Sequence, residues 1–185
     1  MGTRARKVRS KSFAAFDSIG YPIAAFIDDN RIIKYLEAPA ISSEVQFAPS
    51  ISDSVFLLKL IPGIRPEILA YLGEHYDIIV IESYGVGGIP FYDKRNFLNE
   101  LRALTEKGKI IVIATQVMLE GSDAEKYEVG ALALDRYNVL QSFDMTVESA
   151  VTKLMWLCAE HEGYEEIRDG FYKCINHDLL YDPKN

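Results

Sequence analysis

The chain has 185 residues, room for one folded domain or for one domain with an appendage. Its 49% hydrophobic and 25% charged residues exclude a disordered chain, and a net charge of −7 argues against general attraction to nucleic acid. No apolar run nears the roughly 20 residues of a membrane span, and no apolar stretch follows the charged N-terminus as a secretory signal requires. The expectation is a cytoplasmic protein that engages neither membrane nor nucleic acid. Cys158 and Cys174 are the only cysteines; two thiols without a framework suit a reducing cytosol and predict buried, inert side chains.

Residues 1–12 carry Arg4, Arg6, Lys7, Arg9 and Lys11. They lack an aromatic stacking platform, so a polar edge strand or an unpaired terminal strand is the better reading than a nucleic-acid arm. Phe13, Phe16 and Tyr21 cluster around a predicted turn at 17–20. Two short apolar runs, 23–27 and 32–36, flank Asp28-Asp29-Asn30, which reads as a hairpin turn. Residues 37–53, rich in Pro, Ser and Ala, read as a linker.

From Ser54 the pattern becomes strand, helix, strand. Residues 55–60 form a strand that Pro62-Gly63 ends. Ile64, Ile68, Leu69 and Leu72 share one helical face, with Pro66 in the first turn where a missing N–H costs nothing. Ile78, Ile79, Val80 and Ile81 form an unbroken β-branched run, the mark of a strand covered on both faces. It stops at Gly85, Gly87 and Gly88, where the backbone is free to turn sharply and to be approached closely. A helix near 93–107 follows, with Asp93 as its N-cap and Gly108 just past its end. Residues 110–114 are a third buried strand, leading to Thr115-Gln116 and a polar loop at 120–127. A short helix near 131–134 and a short strand at Val139-Leu140 come next. Asp144 or Thr146 caps a strong helix with Val147, Ala150, Val151, Leu154, Met155 and Cys158 on its apolar face. A weaker helical region spans 164–175. The expected fold is therefore α/β: a small open parallel sheet of about four strands with helices on both faces, Rossmann- or flavodoxin-like, preceded by an N-terminal β segment.

In such sheets ligands sit beyond the carboxyl ends of the strands. Three strand ends bring polar groups to that edge: Ser83-Tyr84 with the glycines, Thr115-Gln116, and Asp144 to Thr146. The glycine loop lacks both the phosphate-loop spacing and the dinucleotide fingerprint. Cys158 with His161, or Cys174 with His177, could begin a metal site, but no further ligands are grouped with them. Glu82 and Glu120 lie at or just past strand ends. They could serve as an acid and base pair; solvated loop charges or contacts to a substrate ammonium are the favoured alternatives. No convincing nucleophile and base emerge.

Several stretches, in order, carry a family resemblance. Lys59-Leu60-Ile61-Pro62-Gly63-Ile64, Glu82 through Pro90 (ESYGVGGIP), Thr115-Gln116-Val117, Tyr127-Glu128-Val129-Gly130 and Asp144 through Trp156 (DMTVESAVTKLMW) resemble the C-terminal domain of bacterial type I, cytoplasmic L-asparaginases. Residues 2–8 and 12–18 are similar to the tail of that family's N-terminal domain. The resemblance implies a remnant of the N-terminal catalytic domain at 1–36, a linker at 37–53 and the asparaginase C-terminal α/β domain at 54–185. Family enzymes hydrolyse asparagine to aspartate and ammonia through a threonine, without metal or cofactor. Their nucleophile loop, Thr-Gly-Gly-Thr-Ile, is not in this chain, so a C-terminal portion, inactive alone, is expected.

The resemblance also implies that this portion closes the substrate site of a neighbouring subunit. Tyr84, Gly85, Gly87, Gly88, Thr115, Gln116 and Glu120 are its expected substrate-binding residues, and no catalytic residue is expected. Asparagine or aspartate would be a weak ligand, and self-association or pairing with the absent catalytic domain is expected; a stand-alone amino-acid-binding or interaction module is the alternative. Three departures stand out. Gly88 stands where the family often has an asparagine that helps hold substrate, so that contact must be absent or made by main chain. Glu82 and Val117 stand where allosterically regulated members of the family have an arginine and a cysteine that help bind an effector asparagine. Replacing arginine by glutamate reverses the charge offered to a carboxylate, so no effector site is expected.

Overall fold

A computed structural model describes residues 2–37 and 47–181; positions 38–46 of the expected linker lie outside the described residues. Two small antiparallel ribbons precede a four-stranded parallel sheet. In the first ribbon β1 (Ala5–Lys7) pairs with β2 (Phe16–Ser18). In the second, β3 (Ala25–Asp28) pairs with β4 (Arg31–Lys34) across the predicted Asp-Asp-Asn turn, where Asp29 takes φ 48°.

The basic arm is thus a paired strand, and part of the expected turn at 17–20 is its partner. Pairing follows from an anchor that local pattern does not signal. Arg4 is fully buried. Its guanidinium donates to the Asp144 carboxylate at 2.6 Å, to the Asp144 carbonyl at 2.5 Å and to the His177 carbonyl at 2.7 Å. Thr146 Oγ1 donates to the Thr3 carbonyl at 3.1 Å, and the Ile19 N–H to the Arg4 carbonyl at 2.9 Å. Burying a guanidinium is tolerable only when its donors are satisfied this fully.

The parallel sheet runs in order β5 (Val55–Lys59), β6 (Ile78–Ser83), β7 (Ile110–Thr115), β8 (Leu140–Gln141). Every residue of β6 and β7 is buried, as their unbroken apolar runs require. Side chains alternate between two cores. Ile79, Ile81, Ile111 and Ile113 meet α1 (Glu67–His75), α2 (Phe97–Glu106) and α3 (Glu128–Arg136). Ile78, Val80, Ile110 and Val112 meet α4 (Val147–Glu160) and α5 (Tyr164–Tyr172) on the opposite face.

Helix ends show where local signals competed. Asp93 does not cap α2; it sits at φ 47° and opens a short 3-10 turn, Asp93–Arg95. Asn96 is extended, and its side chain accepts the Leu98 N–H at 3.0 Å, so it caps instead. Gly108 follows the end of α2 at φ 78°, as expected. Thr146 caps α4 through the Ser149 N–H at 3.2 Å, while Asp144 is occupied by Arg4. Cys174 is exposed and Cys158 half-buried, so the expectation of buried thiols fails. The C-terminal loop is held by a buried ion pair, Lys153 Nζ to Asp178 at 2.7 Å, with Lys153 also donating to the Lys173 carbonyl at 2.6 Å.

Candidate functional site

The carboxyl edge of the sheet carries the expected site residues, and the structure gives most of them an internal partner. Tyr84 and Gly88 close the loop after β6 on itself. The Tyr84 N–H donates to the Gly88 carbonyl at 3.0 Å, and the Gly88 N–H to the Tyr84 carbonyl at 2.7 Å. The main chain of Gly88 is therefore engaged, and the substrate contact that could have replaced a missing side chain there is taken up within the loop. Gly87 lies at φ 144°, and a Cβ there would stand 2.5 Å from Ala124 Cα. Only glycine lets this loop pass so close to the 120–127 segment. The Asp123 N–H donates to the Val86 carbonyl at 2.6 Å, tying the two loops together.

Thr115 and Gln116 brace the edge from β7. The Thr115 hydroxyl donates to the Gly85 carbonyl and accepts the Val117 N–H at 2.9 Å. The Gln116 amide donates to the Leu60 carbonyl at 2.7 Å and to the Glu82 carbonyl at 3.0 Å, bridging the ends of β5 and β6. Ser83 Oγ donates to the Ala114 carbonyl at 2.5 Å. Each of these hydroxyl and amide donors is thus directed at backbone. Glu82 is buried within β6 beside Lys59, 3.6 Å away, and is not a solvated loop charge.

Glu120 is exposed on the rim of a cleft of about 460 Å³ between the 120–126 loop and the end of β8. The structure therefore unites Tyr84, Gly85, Gly87, Gly88, Thr115 and Gln116 in one hydrogen-bonded edge, with Glu120 at its flank. Residues that pattern reading missed include Tyr127, whose ring covers Gly85 and Gly88, and Gln141, which caps the 124 turn by accepting the Ala124 N–H at 3.0 Å. The signal for Tyr127 is its place at the head of the Tyr127-Glu128-Val129-Gly130 stretch. Among the described residues no three His, Cys, Asp or Glu side chains are placed to hold a metal ion.

One family, described as the glutaminase/asparaginase C-terminal domain, matches residues 54–171. The chain belongs to this family. The L-asparaginase of Thermococcus kodakarensis is 39% identical over 168 residues, covering 91% of this chain and 50% of that protein. L-asparaginase 1 of Escherichia coli strain K12 is 29% identical over 184 residues, covering 98% of this chain and 53% of that protein. The solved thermostable L-asparaginase from Thermococcus kodakarensis superposes with a TM-score of 0.90 at 35% identity, covering 98% of this chain and 55% of the other. The chain thus spans about half the length of these relatives. Archaeal and bacterial asparaginases both match, so the matches do not single out the bacterial type I branch. The four-stranded parallel sheet with helices on both faces is the architecture expected of an asparaginase C-terminal domain. No helix among the described residues is long and apolar enough to cross a membrane.

Proposed function

We propose that this chain forms one wall of an L-asparaginase site, where L-asparagine and water become L-aspartate and ammonia, while the attacking threonine belongs to another stretch of protein. The observation that carries this reading is the superposition of nearly the whole chain on 55% of a solved L-asparaginase. In this reading residues 54–185 are the asparaginase C-terminal domain, 1–36 belong structurally to the catalytic domain, and 37–53 link them. The Tyr84 to Gly88 loop faces the substrate of a neighbouring subunit, Thr115 and Gln116 hold that loop in shape, and Glu120 meets the substrate's ammonium. The stretches 82–90 and 144–156 favour the cytoplasmic bacterial type I branch. The reading assigns no cofactor, and no effector asparagine, because Glu82 sits buried against Lys59 where a carboxylate-binding cation would be needed.

The experiment is ammonia release from L-asparagine by the purified chain. Release no faster than the uncatalysed background is expected, and enzyme-like turnover would overturn the proposal. A second reading, a stand-alone amino-acid-binding or interaction module, draws on the exposed apolar side chains of β3 and β4. Thermal stabilisation by L-asparagine or L-aspartate at moderate concentration would favour it over a purely structural role.

A further inference from the structure

The cleft beside β8 has a polar floor that the fold leaves incomplete. Gln141 is 4% exposed. Its Oε1 accepts the Ala124 N–H, and this fixes which end of the amide is which, so its NH2 points the other way. That NH2 has no hydrogen-bond partner among the described residues. Nor is it sealed: among the described residues, Ser18 Oγ is the one fully enclosed side-chain polar atom left unpartnered. Gln141 lines the 460 Å³ cleft, so its free donors open into it. This volume lies within the roughly 300–1,000 Å³ typical of small-molecule sites.

The rim sets the charge. Glu120 and Glu125 are exposed and take part in no ion pair among the described residues. Asp123 is neutralised by Lys126 at 3.0 Å and Asp144 by Arg4. An anion is disfavoured here and a cation favoured. Because no acidic trio converges on one point among the described residues, the charge suits a bulky organic ammonium rather than a metal ion. Phe143 and Tyr181, with ring centroids 4.7 Å apart, supply an apolar wall.

We propose that this cleft binds an α-ammonium amide with an apolar side chain, the group found at the N-terminus of a peptide. Gln141 donates to the carbonyl oxygen, Glu120 and Glu125 hold the ammonium, and the Phe143–Tyr181 pair covers the side chain. The inference goes beyond the hydrolytic reading: it concerns the flank next to β8, shares only Glu120 with the residues of that reading, and requires no bond to break. The test is a titration of the isotope-labelled full chain, followed by NMR, with three probes. L-phenylalaninamide is expected to saturate and to shift the Gln141 side-chain amide resonances. N-acetyl-L-phenylalaninamide, which lacks the cation, is expected not to bind. 2-Phenylethylamine, which lacks the carbonyl, is expected to bind about fivefold more weakly, the effect of one neutral hydrogen bond.

Glu120→Gln, a change on an exposed loop, should weaken L-phenylalaninamide about threefold. Gln141→Glu keeps an acceptor for the Ala124 N–H while removing the donor, and should erase the preference for the amide over the amine. Equal binding of the acetylated probe, or an unmoved Gln141 amide at millimolar L-phenylalaninamide, would overturn the proposal. The second of these is read on the unsubstituted chain and decides the matter even if Gln141→Glu does not fold.

Discussion

At the scale of single residues, Asp77 shows how the amino edge of the sheet is fastened. Ser54, Asp77 and Lys109 immediately precede β5, β6 and β7. The Asp77 carboxylate accepts from Ser54 Oγ at 2.6 Å and from Lys109 Nζ at 2.8 Å. The Lys109 ammonium and then the Ser54 hydroxyl hold its pKa below the ordinary 3.8. A carboxyl whose folded pKa is depressed contributes stability that is fully present above its unfolded pKa and lost as pH falls through the folded one. The window therefore lies at and below about pH 4. Asp77→Asn should remove that acid-limb loss and lower stability at neutral pH by at most about 1 kcal/mol, because the pair is solvent-exposed. Urea midpoints measured from pH 3 to pH 7 would check both. Tyr172 titrates at the opposite extreme: burial raises its hydroxyl to about 12, so its contribution persists up to about pH 10 and fades above it.

At the scale of elements, the 84–88 loop owes its path to Gly87. Gly87→Ala combines an unfavourable φ with a collision against the Ala124 backbone, and should cost about 2 kcal/mol. Gly108→Ala, where φ is 78° but nothing lies within 4 Å, should cost about 1 kcal/mol from backbone strain alone. Thermal melts of the two variants would separate collision from strain. The buried strands were legible in the sequence because two-sided burial leaves an unbroken β-branched run; β6 and β7 fall within a residue or two of their predicted limits. The α2 cap was not legible, since Asp93 and Asn96 are both good caps and the extended backbone at Asn96 decides between them. The polar edge was legible as a place. The tasks of Thr115 and Gln116 were not, because residue type alone does not tell a side chain that awaits a ligand from one that bonds a carbonyl 56 positions away.

At the scale of the whole molecule, the second ribbon is the exposed part. Phe26, Ile27, Ile32 and Ile33 are all exposed, and an isolated two-stranded ribbon is at best marginally stable in water. Self-association through this segment is expected, by edge pairing or strand exchange. Light scattering at micromolar concentration should report a dimer or larger species, and a monomer would contradict this. Ile27 and Ile32 are cross-strand partners, so Ile27→Lys with Ile32→Lys should place like charges face to face and shift the population toward monomer.

The clamp on Arg4 bears on the order in which the chain is made. Its three acceptors come from Asp144 and His177, so this guanidinium leaves the ribosome long before anything that can receive it. Until the late residues emerge, the early aromatic and branched side chains have no tether to the parallel sheet. That interval is when a chaperone would find the nascent chain most adhesive, and it closes only once the segment around His177 is free to fold back.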